Sequence, residues 1–309
     1  MNVADAALLD LLRLLDARGY DFTTPAPDTH RRVLRRRRGQ KAGGLADIFG
    51  WNLPFEAADV DPALIELLRR AGALVSGPRR LRSALRVARV GARLFLHSGF
   101  PARQGDAVFF GPDSYRFAEL LRVEAGRLPG VGRIIDIGTG TGVGGIIAGH
   151  LHPQAAVVLT DVNPKAVRLA RINADFAGIA ADLAEGSGLD PVAGDFDLAI
   201  ANPPYLGGGV GRLYRDGGGG LGSALSLAWA RDGLRRLSAG GRMVLYTGAP
   251  IVRGHDRMHA ALAEICAANA CDLTYREIEP DVFPGTLAHP AYWRVERIAA
   301  VGAVMVRRT

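Results

Sequence analysis

The stretch that decides the fold is residues 133–151, which read RIIDIGTGTGVGGIIAGHL. The first five residues are typical of a short buried strand and the last nine favour a helix, with a glycine-rich loop between them. A strand, a glycine loop and a helix in this order form a nucleotide-binding unit. The spacing is G-x-G-x-G, and Val143 stands where the dinucleotide pattern G-x-G-x-x-G requires a glycine.

Two acidic residues accompany this loop. Asp136 stands two residues before Gly138, where a carboxylate would repel a pyrophosphate but would attract a cationic amino-acid group. The next apolar run ends at Asp161, 23 residues past Gly138. An acid at the tip of the second strand is placed to bind a ribose diol.

A third motif, Asn202-Pro203-Pro204-Tyr205, follows the apolar run 196–201. A planar nitrogen is a poor nucleophile because its lone pair is delocalised, so an enzyme that methylates it must accept its hydrogens and orient it. The Asn202 side-chain oxygen and the Pro203 carbonyl can each accept one N–H. The two prolines restrict the backbone, and the Tyr205 ring could stack on a planar amide or base. A proline-rich turn after a strand is the structural alternative.

Residues from about 107 to 309 resemble the class I S-adenosylmethionine-dependent methyltransferases. Within that class, the Asn-Pro-Pro-Tyr motif is similar to that of the branch that methylates planar nitrogens. This branch includes release-factor glutamine methyltransferases, ribosomal-RNA guanine enzymes and adenine-N6 enzymes. The segment 111–115, Gly-Pro-Asp-Ser-Tyr, also resembles the glutamine enzymes ahead of their first strand.

The resemblance implies S-adenosyl-L-methionine as the cofactor, S-adenosyl-L-homocysteine as its product and no metal. It implies cofactor-binding residues in several loops: Asp136, Gly138, Thr139, Gly140, Gly142, Asp161, Val162, Ser187 and Asn202. The residues before Asp161 would cradle the methionine part, Asp161 would bind the ribose, and Val162 would pack on the adenine. Ser187 stands where the family usually has an acid at the adenine amino group.

The acceptor is expected to contact two further regions. These are the start of the helix after residue 111, with Pro112 and Asp113, and the glycine-rich loop 207–222, with Tyr214 and Arg215. The loop directly follows the catalytic motif. The Tyr214-Arg215-Asp216 run in its centre favours a lid that orders on substrate binding over an ordinary flexible loop.

Alternating strands and helices predict an α/β fold, doubly wound, with a mostly parallel seven-stranded methyltransferase sheet. Strands are expected near 133–137, 156–160, 179–184, 196–201, 242–247, 272–279 and 298–307, and helices near 113–126, 142–151, 164–177, 221–237 and 255–269. The last two strands should form an antiparallel edge. Residues 1–105 are predicted to form a smaller helical recognition domain and residues 106–309 the methyltransferase domain. In the first domain, strands at 81–90 and 92–97 after the helices resemble a winged-helix module, and 107–110 should be a strand leading into the second.

Charge is distributed unevenly along the chain. Residues 1–100 contain 17 Lys+Arg and 10 Asp+Glu, which accounts for the whole net charge of +7. Seven basic residues lie between 31 and 41: Arg31, Arg32, Arg35, Arg36, Arg37, Arg38 and Lys41. Such a cluster favours an acidic or phosphate-rich partner such as RNA or the ribosome, although charge runs are also common on solvated faces.

The motif at 202–205 and the family resemblance together predict an N-methyltransferase that acts on a planar nitrogen. The resemblance of the segment 111–115 to the glutamine enzymes implies a protein glutamine amide as the first substrate class. The exocyclic amine of a base in RNA or DNA is the second, and a small-molecule amine or amide the third. A non-catalytic cofactor- or RNA-binding protein is the alternative outside enzymology, and the intact motif at 202–205 argues against it. With no membrane-length apolar run and two cysteines, the expected location is the cytoplasm, away from membranes.

Overall fold

The N-terminal segment folds as three helices followed by two β-hairpins. The computed structural model describes residues 1–102, 104–126, 128–207 and 215–309. The N-terminal elements are α1 (Val3–Ala17), α2 (Pro27–Arg36), α3 (Pro62–Arg70), β1 (Leu74–Ser76), β2 (Leu81–Ser83), β3 (Leu85–Val90) and β4 (Arg93–Ser98). β1 pairs with β2 and β3 pairs with β4, both antiparallel. A π-helical turn, Ala46–Gly50, and a 3-10 turn, Ala57–Asp59, precede α3.

Local chemistry sets the ends of these helices. The Asn2 side chain caps α1 by accepting the N–H of Asp5 at 2.8 Å. The Asp61 carboxylate caps α3 by accepting the N–H of Ala63 at 2.8 Å, and Pro62 occupies the first turn. The leucines of α1 and α3 are buried in one N-terminal core.

Of the strands expected in this region, 92–97 forms as β4, 81–90 forms as two strands instead of one, and 107–110 is wrong. The run 81–90 divides at Ala84, whose N–H donates to the Ala73 carbonyl at 2.8 Å, so that β2 and β3 belong to different hairpins. Residues 107–110 form no strand, because the N–H of Val108 donates to the Ser98 hydroxyl at 2.9 Å and the backbone ladder stops there. The winged-helix comparison stays a prediction.

The rest of the chain is built around a mostly parallel sheet. Its strands are β5 (Arg133–Ile137), β6 (Ala156–Asp161), β7 (Ala181–Glu185), β8 (Phe196–Ala201), β9 (Leu237–Val252), β11 (Cys271–Glu279) and β12 (Arg297–Arg307), in the spatial order β11-β12-β9-β8-β5-β6-β7. A two-residue strand, β10 (His255–Asp256), pairs with the end of β9. β12 is antiparallel to both of its neighbours, so the last two strands form the expected antiparallel edge.

Helices cover both faces of this sheet. They are α4 (Pro112–Glu124), α5 (Val143–Leu151), α6 (Pro164–Ala177), α7 (Ala224–Arg235) and α8 (Arg257–Ala268). One apolar core lies beneath α4, α5 and α6, and a second lies beneath α7 and α8. The predicted doubly wound fold is therefore confirmed.

The strand order positions the ligand site. β5 pairs with β6 on one side and with β8 on the other, so the chain winds outward in both directions from β5. Open α/β sheets bind ligands at such a switch point, beyond the carboxyl ends of the strands. Asp136 and Asp161 lie at the ends of β5 and β6, and Asn202 follows β8 directly.

The N-terminal segment is tied to the sheet beside this point. Asn173 of α6 is fully buried, and its side chain bonds to the N–H and carbonyl of Leu96 at 2.9 and 3.1 Å and to the carbonyl of Thr141 at 2.8 Å. One amide thereby links β4 to the glycine loop. The Tyr115 hydroxyl also accepts the N–H of Thr24 at 2.8 Å, which links α4 to the segment before α2.

Candidate active site

A cleft of about 900 Å³ opens at the carboxyl ends of the parallel strands. Its floor consists of the glycine loop after β5, the end of β6, the turn after β7 and the motif after β8. The chain segment 25–31, with Arg86 and Phe100, forms one wall, and residues 279–286 form part of another. Three motifs that are distant in the sequence thus meet in one cavity.

Glycine is required in the loop after β5 for two reasons. Gly138 has a φ of +66°, and a Cβ there would lie 2.4 Å from the Trp229 ring. Gly140 has a φ of +57°, and no described atom lies within 4 Å of the position that a Cβ would take, which leaves room for a ligand. Gly138, Thr139 and Gly140 line the cleft, whereas Gly142 caps α5 and does not line it.

The Asp136 side chain stabilises the glycine loop through hydrogen bonds. It is 2% exposed, and its Oδ2 accepts the Thr139 hydroxyl at 2.6 Å and the Gly145 N–H at 2.8 Å. Burial raises the pKa of Asp136 to about 6, because these two bonds offset only part of the lost hydration. Both bonds use Oδ2, so Oδ1 has no bond among the described residues and can face a cationic ligand.

Asp161 joins the loop to the second strand. Its Oδ2 accepts the N–H of Gly140 and its Oδ1 that of Asn163, each at 2.9 Å. Each oxygen keeps acceptor capacity for a hydroxyl. Val162 beside it is 53% exposed although it lines the cleft, so an apolar contact is open there. Ser187 also lines the cleft, in the turn after β7.

The motif after β8 forms the far side of the floor, and all four of its residues line the cleft. Asn202 is half-buried and Tyr205 is 6% exposed. The Tyr205 ring packs near Tyr246 and Phe283, with centroid distances of 6.5 and 6.1 Å, and lies against Gly248, where a Cβ would be 2.2 Å from it. This burial makes the ring part of the cleft wall, and the predicted stacking on an acceptor would use only its remaining exposed part.

A buried carboxylate lies behind Tyr205. Asp113 accepts the Tyr246 hydroxyl at 2.8 Å, and Arg116 lies 3.5 Å from Asp113 and 2.9 Å from Glu279. Burial raises the pKa of Asp113. Burial and then the charge of Asp113 raise the pKa of Tyr205, whose buried hydroxyl lies close to the Asp113 carboxylate. Pro112 and Asp113 both line the cleft, where an acceptor could reach them.

The glycine-rich loop is described only in part. Arg215 lines the cleft and donates to the Thr286 hydroxyl at 3.3 Å. Tyr214 lies outside the described residues, together with 208–213, so its predicted acceptor contact and the lid interpretation stay predictions.

Sequence reasoning missed both walls of the cleft. Neither 25–31 nor 279–286 carries a motif, and their approach to the floor depends on long-range packing. The Pro284-Gly285 pair marks a turn after β11, but it does not indicate that this turn faces a ligand.

Fewer residues of the basic cluster 31–41 carry a free positive charge than the sequence indicates. Arg37 is bound to Asp47 by two bonds of 2.5 and 2.8 Å, Lys41 lies 2.8 Å from Asp59, and Arg31 pairs with Asp28. In the described part of the chain, the exposed arginines without an ion pair in this cluster are Arg32, Arg35, Arg36 and Arg38. They belong to α2 and the residues just after it, and the start of α2 lines the cleft.

Comparison with known proteins bears on this arrangement. Residues 118–213 match the methyltransferase small domain. The chain is 30% identical over 213 residues to the release factor glutamine methyltransferase of Deinococcus radiodurans, which covers 64% of this chain and 67% of that protein. The chain belongs to the class I S-adenosylmethionine-dependent methyltransferases.

Two further similarities concern a shorter stretch of sequence and a solved fold. The chain is 36% identical over 74 residues to ribosomal RNA small subunit methyltransferase C of Pseudoalteromonas atlantica. The aligned stretch covers 24% of this chain and 22% of that protein. The fold of this chain is similar to that of M. jannaschii TYW2, solved in complex with AdoMet, with a TM-score of 0.50 at 14% identity over 75% of this chain and 89% of that one.

The predicted resemblance, the enzyme class and the cofactor are confirmed. The cleft fits the cofactor chemically, because it combines the open space at Gly140, the carboxylates of Asp136 and Asp161, and the exposed apolar Val162. No helix in the described ranges has both the length and the apolar character needed to cross a membrane.

Proposed function

We propose that this methyltransferase transfers the methyl group of S-adenosylmethionine to a planar nitrogen. The observation that carries the proposal is the position of Asn202 and Pro203. They follow β8 at the switch point of the sheet and line the same cleft as the glycine loop and Asp161.

The cofactor supplies a methyl group on a sulfonium centre, and the chain supplies position. The Asn202 side-chain oxygen and the Pro203 carbonyl each accept one N–H of the acceptor, which orients its lone pair. Pro203 and Pro204 restrict the backbone and so fix the positions of these two oxygens. The Tyr205 ring packs against Phe283 and Tyr246 and supports the turn. Well-positioned groups of this kind can contribute about 7–11 kcal/mol to lowering a barrier.

A glutamine amide in a protein is our first acceptor class. Two observations support it: the most extensive of the sequence matches reported above is to a release factor glutamine methyltransferase, and Pro112 and Asp113 line the cleft beside the motif. The buried Asp113 could accept an N–H from the backbone or amide of such a substrate.

A base amine in RNA is the second class. It is favoured by the four exposed arginines without an ion pair in α2 and just after it, a helix whose first residues line the cleft, together with the match to a ribosomal RNA methyltransferase. We further propose that residues 1–105 form the recognition domain and residues 106–309 the catalytic domain, because the N-terminal segment supplies one wall of the cleft.

Labelling distinguishes these classes. The full-length protein is incubated with tritiated S-adenosylmethionine and cell extract, and the products are divided between RNase and protease digestion. If protease releases the label from the macromolecular fraction, the glutamine class is supported, and if RNase releases it, the base amine is supported. If the macromolecular fraction carries no label, a small-molecule acceptor is supported. The matched control is Asn202→Ala, and label incorporation that equals the parent's would contradict the proposed role of the motif.

A further inference from the structure

A buried arginine in the N-terminal wall of the cleft has no acidic partner. Arg86 of β3 is 4% exposed and lines the cleft. Its Nη1 donates to Nδ1 of His30 at 3.3 Å, and its Nε donates to the Ser98 carbonyl at 3.4 Å. In the described part of the chain no carboxylate lies within ion-pair distance of it. Buried guanidinium groups are normally paired, because losing hydration without a counter-charge is unfavourable.

The imidazoles beside Arg86 supply no negative charge to balance it. Nε2 of His30 donates to the Trp51 carbonyl at 3.0 Å, so Nδ1 is the unprotonated nitrogen that accepts from Arg86. His97, the cross-strand neighbour of Arg86, is fully buried, and neither of its ring nitrogens has a partner among the described residues. Burial and the charge of Arg86 lower the pKa of His30 to about 4 and lower that of His97. Two neutral imidazoles therefore adjoin the guanidinium, and no carboxylate of the described residues lies within ion-pair distance to offset its charge.

The geometry leaves part of the guanidinium for a ligand. Neither described bond uses Nη2, and Arg86 lines the cleft together with His30 and Phe100. The Phe100 ring centroid is 5.7 Å from the guanidinium carbon and 4.1 Å from the centroid of the His30 ring. These rings shield the charge from water, which strengthens its attraction for an anion.

We propose that Arg86 binds an oxyanion, a carboxylate or a phosphate, that a ligand carries into the cleft. Arginine suits this task because its planar fork matches both groups. Two ligands could supply the anion: the carboxylate of the cofactor itself, or an acidic group of the methyl acceptor. The second source rests on the proposed function, whereas the first does not.

Calorimetry with the full-length protein distinguishes the sources. The variants are Arg86→Gln and Arg86→Lys, and the control is Arg89→Gln. Arg89 is on the same strand but bonds to the Tyr20 carbonyl and, at 2.9 Å, to Asp16. If the cofactor supplies the anion, Arg86→Gln should weaken S-adenosylmethionine by about 10- to 100-fold, the range of one charge-assisted hydrogen bond. Decarboxylated S-adenosylmethionine, which lacks only the carboxylate, should bind parent and variant equally.

If the acceptor supplies the anion, both cofactor forms should bind Arg86→Gln as they bind the parent. Inorganic phosphate or acetate should then raise the melting temperature of the cofactor-loaded parent and of Arg89→Gln but not that of Arg86→Gln, with Arg86→Lys intermediate. These readouts need no turnover, so failure of the proposed methylation would leave them interpretable.

Folding controls separate binding from structure. Because Arg86 is an uncompensated buried charge, unliganded Arg86→Gln should be at least as stable as the parent, whereas Arg89→Gln should be less stable. The proposal is overturned if Arg86→Gln is destabilised and its responses to both cofactor forms and to the anions match those of the parent. If Arg86→Gln does not fold, the same comparison is made with Arg86→Lys.

Discussion

Replacing Asp161 by alanine tests how the cofactor is held. The Asp161 carboxylate already accepts two backbone N–H groups, so it is fixed in place before a ligand arrives. A ribose diol would add two charge-assisted hydrogen bonds, each worth roughly 1.5–3 kcal/mol. Asp161→Ala should therefore weaken S-adenosylmethionine by about 3–6 kcal/mol, or roughly 10²- to 10⁴-fold in Kd.

The assay is isothermal titration of full-length protein with S-adenosylmethionine and S-adenosylhomocysteine. Asp197→Ala is a matched control, because Asp197 also accepts two backbone N–H groups, from Gly132 and Arg133 at 2.9 Å, but does not line the cleft. Its loss should leave the Kd within about twofold of the parent value. Equal binding by Asp161→Ala and the parent, or equal weakening by both variants, would refute the ribose assignment.

Three further outcomes follow from the site. Burial raises the pKa of Asp136 to about 6, and a cationic ligand favours its ionised form, so cofactor affinity measured by calorimetry should fall below pH 6 by up to about tenfold per pH unit; Asp136→Asn should flatten that profile. In urea unfolding, Tyr205→Phe should stay within about 1 kcal/mol of the parent because the ring still fills its site, whereas Tyr205→Ala should lose about 3–5 kcal/mol. Changing the four unpaired arginines to serine should reduce the salt slope of RNA binding by about 3 without altering cofactor affinity; the residues are Arg32, Arg35, Arg36 and Arg38.

The sheet that carries the cleft could be predicted because its signals are local. Hydrophobic runs end in the residues that form the site, and parallel strands bring their carboxyl ends to one edge of the sheet. Asp136, Asp161 and Asn202 therefore meet as expected. The start of β9 was not predicted. A helix was expected to 237 and the strand only from 242, whereas β9 begins at Leu237 and its pairing with β8 shifts register before Arg242.

The walls of the cleft depended on contacts that no local pattern encodes. Arg86 in a hairpin strand and the turn at 279–286 reach the floor only through packing such as the Asn173 link between β4 and the glycine loop. For the basic cluster, the sequence indicated more free positive charge than the fold leaves. Its charges are local, but whether Arg37 or Lys41 is free depends on acids that only the fold brings near.

The most direct test of the central claim is the methylation rate of Asn202→Ala at saturating S-adenosylmethionine, measured as tritium transferred to the labelled acceptor fraction. Asn202 is proposed to touch the acceptor nitrogen and to position it. Loss of that contact should lower the rate about 100-fold or more, while the Kd of the cofactor stays within about twofold. Transfer by Asn202→Ala at the parent rate, with the cofactor bound equally well, would contradict the account.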